Sequence, residues 1–270
     1  MKRLILLLAF ILPVHGNDTA INAGGFGPAP LGEFEGDESV IRMVSETIDV
    51  HFAKKESQVH CRFTFRSGKK SGDAKQVVGF PDLLHTDSDT GEISKLETFI
   101  DGEKVEAKKE RGWFVTADYA TPRSGLGDPP KEYPADQIQR ADFFVVEVNF
   151  PPDKDVIVER KYTCASGGDV MGTATFYYTT HTGAVWKGNI GQADFHITLD
   201  GFTVDDLAFE DGRQKIPSRS QTTWCMPNRA EWTVVSPTEL KMTWKDFEPA
   251  VHSTRRGIRL ATWSKPPAGK

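Results

Sequence analysis

The side chains able to do chemistry in this chain are sparse and scattered. Three cysteines occur, Cys61, Cys164 and Cys225, and their spacing fits neither a zinc pattern nor a Cys-x-x-Cys redox pair. In an oxidising compartment the expectation is one disulfide and one buried thiol. Cys61 alternates with Val59, Phe63 and Phe65, where a thiol behaves as a small hydrophobe. Cys164 and Cys225 both adjoin loop-like sequence, so they are the expected pair, with no cofactor implied.

Asp194 and His196 stand two apart in a strand-like run and share a face, with His181 across a connection. Such a trio could hold a metal, yet a His beside an Asp is more commonly a hydrogen-bonded pair, and no metal is expected. Ser67-Gly68-Lys69-Lys70 spells Ser-x-x-Lys. It follows a strand in a turn context, without the buried helix that motif needs. Asp87-Ser88-Asp89-Thr90-Gly91 begins like a calcium loop, but the twelfth position is Thr98 where a glutamate is required; an Asx turn explains it. No nucleophile elbow, His-Glu-x-x-His helix or phosphate-binding glycine loop occurs. Four of six tryptophans, Trp224, Trp232, Trp244 and Trp263, fall after residue 220. Aromatic platforms bind sugars, but Trp232 alternates with Val234, and Trp244 with Leu240 and Met242, which reads as core packing; Trp263 shares its face with Arg259 and Ala261.

The elements that must carry these residues are strands. Ser57–Arg66 places Val59, Cys61, Phe63 and Phe65 on one face and His60, Arg62, Thr64 and Arg66 on the other, the period of a half-buried strand. Thr47–Ala53 precedes it through Lys54-Lys55-Glu56, which predicts a hairpin. Further strands are predicted at Phe143–Phe150, Asp155–Tyr162, Thr173–Thr180, Ala193–Leu199, Glu231–Val235, Glu239–Trp244 and Gly257–Trp263. No sustained period of 3.6 appears. The expectation is an all-β, antiparallel β-sandwich architecture, two packed sandwich-like domains with few short helices. The divisions are a leader over residues 1–16, an N-terminal arm over 17–44, a first sandwich over 45–165 and a second over 166–270. The Gly-rich stretch after Cys164 marks the seam. Trp186, among Gly183, Gly188 and Gly191, is expected to be a structural anchor at the sandwich end, since a loose loop needs buried area to offset its ordering entropy.

The chain begins Met1-Lys2-Arg3, then an apolar run Leu4–Leu12, then Pro13-Val14-His15-Gly16. This basic, apolar, small-residue order is that of a secretory signal, and the run is shorter than the ~20 residues of a membrane span. Cleavage after Gly16 would remove Lys2 and Arg3 and take the net charge from -5 to -7. That disfavours nucleic acid and anionic lipid as partners; the Arg255, Arg256 and Arg259 cluster reads as a solvated face.

Ile41-Arg42-Met43-Val44-Ser45-Glu46, Val78-Gly79-Phe80-Pro81-Asp82, Phe150-Pro151-Pro152, Glu159-Arg160-Lys161-Tyr162, Thr182-Gly183-Ala184-Val185-Trp186-Lys187-Gly188-Asn189-Ile190-Gly191 and Asp246-Phe247-Glu248-Pro249 follow one another in this order. Together they resemble a family of secreted bacterial proteins classed only as a domain of unknown function, numbered forty-four twenty-four. The resemblance implies export and assigns no residue a catalytic role. The expected function is a non-enzymatic binding or structural protein of the envelope, secreted or periplasmic, whose partner is an envelope protein or a glycan. The alternative is a secreted hydrolase whose carboxylate pair sequence alone does not reveal.

Overall fold

The computed structural model describes residues 24–31, 40–69, 72–82, 93–115, 124–131, 133, 135, 138–168, 172–209, 225–249, 255 and 257–262. The leader, residues 87–91, Arg256, Trp224 and Trp263 lie outside them.

The largest element is an eight-stranded sheet. Its two long central strands are β3 (Ile41–Ala53) and β4 (Glu56–Ser67), which form the hairpin the alternation predicts. Beyond β4 follow β11 (Asp155–Ala165), β6 (Ser94–Ile100) and the short β7 (Glu103–Val105). On the other side β3 pairs in parallel with β14 (Ile190–Asp200), followed by β16 (Glu239–Phe247) and the edge strand β15 (Thr233–Ser236). Two smaller sheets contribute to the same core. One is five-stranded, in the order β2 (Ala29–Leu31), β5 (Ala74–Pro81), β10 (Ile138–Phe150), β8 (Lys108–Val115) and β9 (Ser124–Leu126). The other runs β1 (Gly24–Phe26), β13 (Ala174–Thr179), β12 (Gly167–Gly168), with β17 (Gly257–Ala261) also on β13. Among the described residues helix is confined to short 3₁₀ segments such as His181–Val185, Val204–Asp206 and Arg229–Glu231. The chain is therefore an all-β, sandwich-like protein, antiparallel but for the β3–β14 and β1–β13 pairings.

The core lies where the small sheets meet the inner face of the large one. Phe65 of β4 packs on Phe150 of β10 at 5.8 Å, Tyr162 of β11 on Phe80 of β5 at 5.4 Å, and Phe52 of β3 on Phe176 of β13 at 6.1 Å between ring centroids. These aromatic side chains are buried, and each contributes about 1.5–3 kcal/mol relative to an exposed position. A second apolar cluster, Ala29, Leu31, Ala141, Phe143 and Val145, gathers residues of β2 and β10. The Gly- and Pro-rich arm thus supplies two paired strands, β1 and β2, that its composition does not announce.

Several expectations are corrected. Cys164 and Cys225 do not form a disulfide; all three cysteines are free and buried. Cys164 stands opposite Ser57 inside the β4–β11 ladder. Cys225 is tied down elsewhere: its N–H donates to Ala208 O at 3.0 Å, and the Ala261 N–H donates to its sulfur at 3.2 Å. Neither thiol sits in a free loop able to approach the other. Pro151-Pro152 carries the chain between sheets, from β10 in the five-stranded one to β11 in the eight-stranded one. Trp232 is buried as the cap of a 3₁₀ segment, donating to Pro227 O, while Val234 is exposed, so the two do not share a core face. Strands from both sides of residues 165 and 166 join in the large sheet, β3, β4 and β11 with β14 and β16.

Candidate functional site

Alternation along the central strands leaves the outer face of the large sheet largely polar. The registers line up one residue from each of six strands. Lys241 lies opposite His196, His196 opposite Asp49, Asp49 opposite His60, His60 opposite Lys161 and Lys161 opposite Glu97. At about 4.8 Å between strands this row is roughly 24 Å long, and every position in it is charged or titratable. The row beside it reads Glu239, Thr198, His51, Gln58, Thr163 and carries hydroxyls and an amide.

Between the two rows lies an open depression of about 390 Å³, lined chiefly by His51, His60, His196, Lys95, Lys161 and Thr163. Its rim is built by an irregularity. The β11–β6 register breaks between Lys161 and Thr163, and Lys95, at the start of β6, takes a left-handed φ of 52°. Such a backbone is uncommon for a residue with a side chain and marks a position worth a functional question.

Each histidine has a carboxylate. His196 Nδ1 lies 2.9 Å from Asp49 directly across the parallel pair, and His60 Nε2 lies 2.9 Å from Glu159 on a diagonal. His51 Nε2 is 3.5 Å from Asp200, also diagonal. An ionised carboxylate only accepts, so Nε2 of His60 and Nδ1 of His196 carry the protons. The other ring nitrogen of each is the one a bound molecule would meet. Asp194 shares this face as expected, but it accepts from Thr243 and Gln192 rather than joining His196. Among the described residues no group of three His, Cys, Asp or Glu is arranged to hold a metal. Ser67 accepts a hydrogen bond from the Lys69 N–H at 3.1 Å, a turn contact.

A second concentration of ionisable groups lies inside the core. Up to Met43 the inward residues of β3 are odd-numbered; after the bulge between Met43 and Ser45 they are even-numbered. That slip turns Glu46 inward, where it is 1% exposed and its Oε1 has no hydrogen-bond partner. Burial raises its carboxyl to about 8. Arg160 is also fully buried; it donates to Thr98 Oγ1 at 2.5 Å and lies over the Phe80 ring, and burial lowers its guanidinium to about 9. Burial, followed by the nearby Glu46 carboxylate, holds the Cys61 thiol well above its ordinary value; Tyr162 and Tyr178 are raised by burial first. These shifts keep thiol and phenols protonated, the opposite of an activated nucleophile.

Trp186 closes the 3₁₀ segment at the end of the sheets. It is 1% exposed, packs at a tilt on Phe65 with ring centroids 4.6 Å apart and donates its indole N–H to Pro28 O at 2.9 Å. Of the other tryptophans, Trp244 is buried against Phe195 and Phe247. The polar row and its depression carry no sequence motif. What could have pointed to them is the outward placement of His60 and the shared face of Asp194 and His196.

No protein-family model and no curated protein matches the sequence. Among solved structures the chain is similar to a crystal structure of a candidate nutrient binding protein from Legionella pneumophila subsp. pneumophila str. Philadelphia 1. The identity is 17%, the TM-score 0.58, and the match covers 91% of this chain and 72% of that one. An M1 zinc metallopeptidase from Deinococcus radiodurans aligns at 7% identity and a TM-score of 0.35, over 82% of this chain and 42% of that chain. The first of these likenesses establishes the sandwich-like β fold that the sheets describe.

Proposed function

We propose that the chain is an exported, non-enzymatic binding protein of the bacterial envelope that holds a small hydroxylated solute or glycan unit on the outer face of its large sheet. The observation that carries this reading is the depression between two polar rows, whose hydroxyls, amide, imidazoles and ammonium groups are the partners a sugar-like solute needs. Its volume lies at the lower end of the range of small-molecule sites. The basic and apolar leader and the resemblance to secreted bacterial proteins support export, and the nutrient-binding description of the Legionella protein supports binding over turnover.

Two measurements test it. The exported protein should begin at Asn17 on N-terminal sequencing; a start at Met1 in that fraction would remove the export half of the proposal. A panel of monosaccharides, disaccharides and hydroxy acids should perturb amide resonances of β3, β4, β11 and β14 around the depression, and Gln58→Ala should weaken that response. Perturbation elsewhere only, or product formation from any panel member, would replace binding at this face with another function.

A further inference from the structure

The geometry points to a proton-gated oxyanion site in the depression: resting on the binding reading above, the solute it prefers is a hydroxylated molecule bearing an oxyanion, held more tightly as the pH falls. The argument begins with the fixed tautomers. With Glu159 on Nε2 of His60 and Asp49 on Nδ1 of His196, the opposite nitrogen of each neutral ring offers only a lone pair. It can accept from a solute hydroxyl and repels an oxyanion. Protonation turns that same nitrogen into a donor without moving the ring, because the carboxylate still holds the other side.

The charge around the depression reverses with the same event. Lys95 and Lys161 stand against Asp49, Glu56, Glu159 and Asp200. Two positive charges facing four negative ones make the neutral-pH surface acidic. Three protons, on His51, His60 and His196, make it five against four. The remaining groups facing these histidines are largely spoken for. Lys241 lies 3.2 Å from Glu239 on β16, Glu97 on β6 is bonded to Lys104 on β7, and Asp194 on β14 accepts from Thr243 and Gln192. Arg62 on β4, opposite Thr47 and Glu159, adds a constant positive charge in the neighbouring row. Neither gain nor loss of charge by these groups is needed for the reversal. The second row completes the site: the exposed Thr198 and Gln58 supply neutral hydrogen bonds to hydroxyls at any pH, Thr163 being buried and bonded to Ser94, while the first row reads the anion.

Glucose 6-sulfate is a suitable probe, because its ester charge is constant over the range in which histidine titrates, and glucose is the neutral control. Binding of glucose 6-sulfate, followed by amide shifts or calorimetry, should be about tenfold tighter near pH 5.5 than near pH 8. H60N/H196N should remove most of that pH dependence, and Lys161→Ala should weaken binding at both pH values. Both changes lie on the exposed face, so an unchanged melting temperature certifies the fold of each variant. Equal affinity at the two pH values, tighter binding near pH 8, or binding of the ester at neither pH would overturn the inference. If glucose perturbs the depression while its sulfate ester does not, the oxyanion gate fails and the binding face stands. If neither probe nor any panel solute perturbs it, both fail together.

Discussion

Trp186 and Glu46 show how single residues set the terms for this core. Trp186 spends its one polar atom on Pro28 O and buries the rest of the indole against Phe65. Gly188, two residues on, has a φ of +62°, a conformation that glycine adopts without strain. Trp186→Ala should lower stability by about 3–5 kcal/mol, the range for removing a buried tryptophan. Chemical denaturation measures it, and a midpoint equal to wild type would mean that the indole is not an anchor. Glu46 acts in the other direction. It ionises near 4.5 in the unfolded chain but near 8 in the fold. Between those values the folded state binds more protons than the unfolded state, so this residue makes stability fall as pH rises, by about 1.4 kcal/mol per pH unit at most. Its favourable share is complete below about pH 4.5 and lost once pH passes about 8. Comparing unfolding of wild type and Glu46→Gln across pH 5–8 should show a slope in the difference between them; parallel curves would place the carboxyl in contact with water.

At the scale of elements, the parallel pair β3–β14 decides both the sheet and the site. It begins beside the β3 bulge, where Gln192 faces Ser45, and there Gly191 comes so close that an added Cβ would meet the Val44 carbonyl oxygen at 2.4 Å. Backbone cannot yield as a flexible side chain can. Gly191→Ala should therefore cost about 1–3 kcal/mol, as overpacking does, and also disturb the Asp49–His196 contact a few residues along. A normal unfolding midpoint with unaltered His196 ring resonances would show that the pair tolerates the extra carbon. The strands of this sheet were largely legible: the alternation at Ser57–Arg66 and Ala193–Leu199 is strict, because each has one wet face and one dry face, whereas β11 breaks it with Ile157 outward and Arg160 inward. β5 was not, since Val78-Gly79-Phe80-Pro81 is buried at every position and offers no period of two. β8 was hidden by the run of charge Lys108-Lys109-Glu110-Arg111 with which it opens. The site was legible only as fragments. His60 and Asp194 with His196 show their outward faces in sequence, but Asp49 meets His196 across 147 residues, and a parallel pairing of that span leaves no turn signal by which to find it.

For the whole molecule, the shared sheet has a consequence for how the chain comes apart. The first half supplies β3, β4 and β11 and the second supplies β14 and β16. Splitting the chain near residue 165 would strip β14 from β3 and expose a long unpaired edge together with the inner faces of Phe52 and Phe195. Independent units should then not exist, and both halves should open in one event. The cysteines report on this directly. All three are free and buried, Cys61 and Cys164 in the first half and Cys225 in the second. Burial raises Cys164 and Cys225 to about 12, so none should react with a thiol reagent in the native state. Across a denaturant titration, mass-resolved labelling should show Cys61, Cys164 and Cys225 becoming reactive together, at the midpoint seen by circular dichroism, and reductant should not shift that midpoint. Labelling of Cys225 at a distinctly lower denaturant concentration than Cys61 would reveal two separable domains. A stabilising effect of oxidation would instead revive the Cys164–Cys225 bridge. Coincident labelling is the outcome expected of a core built from both halves of the chain at once.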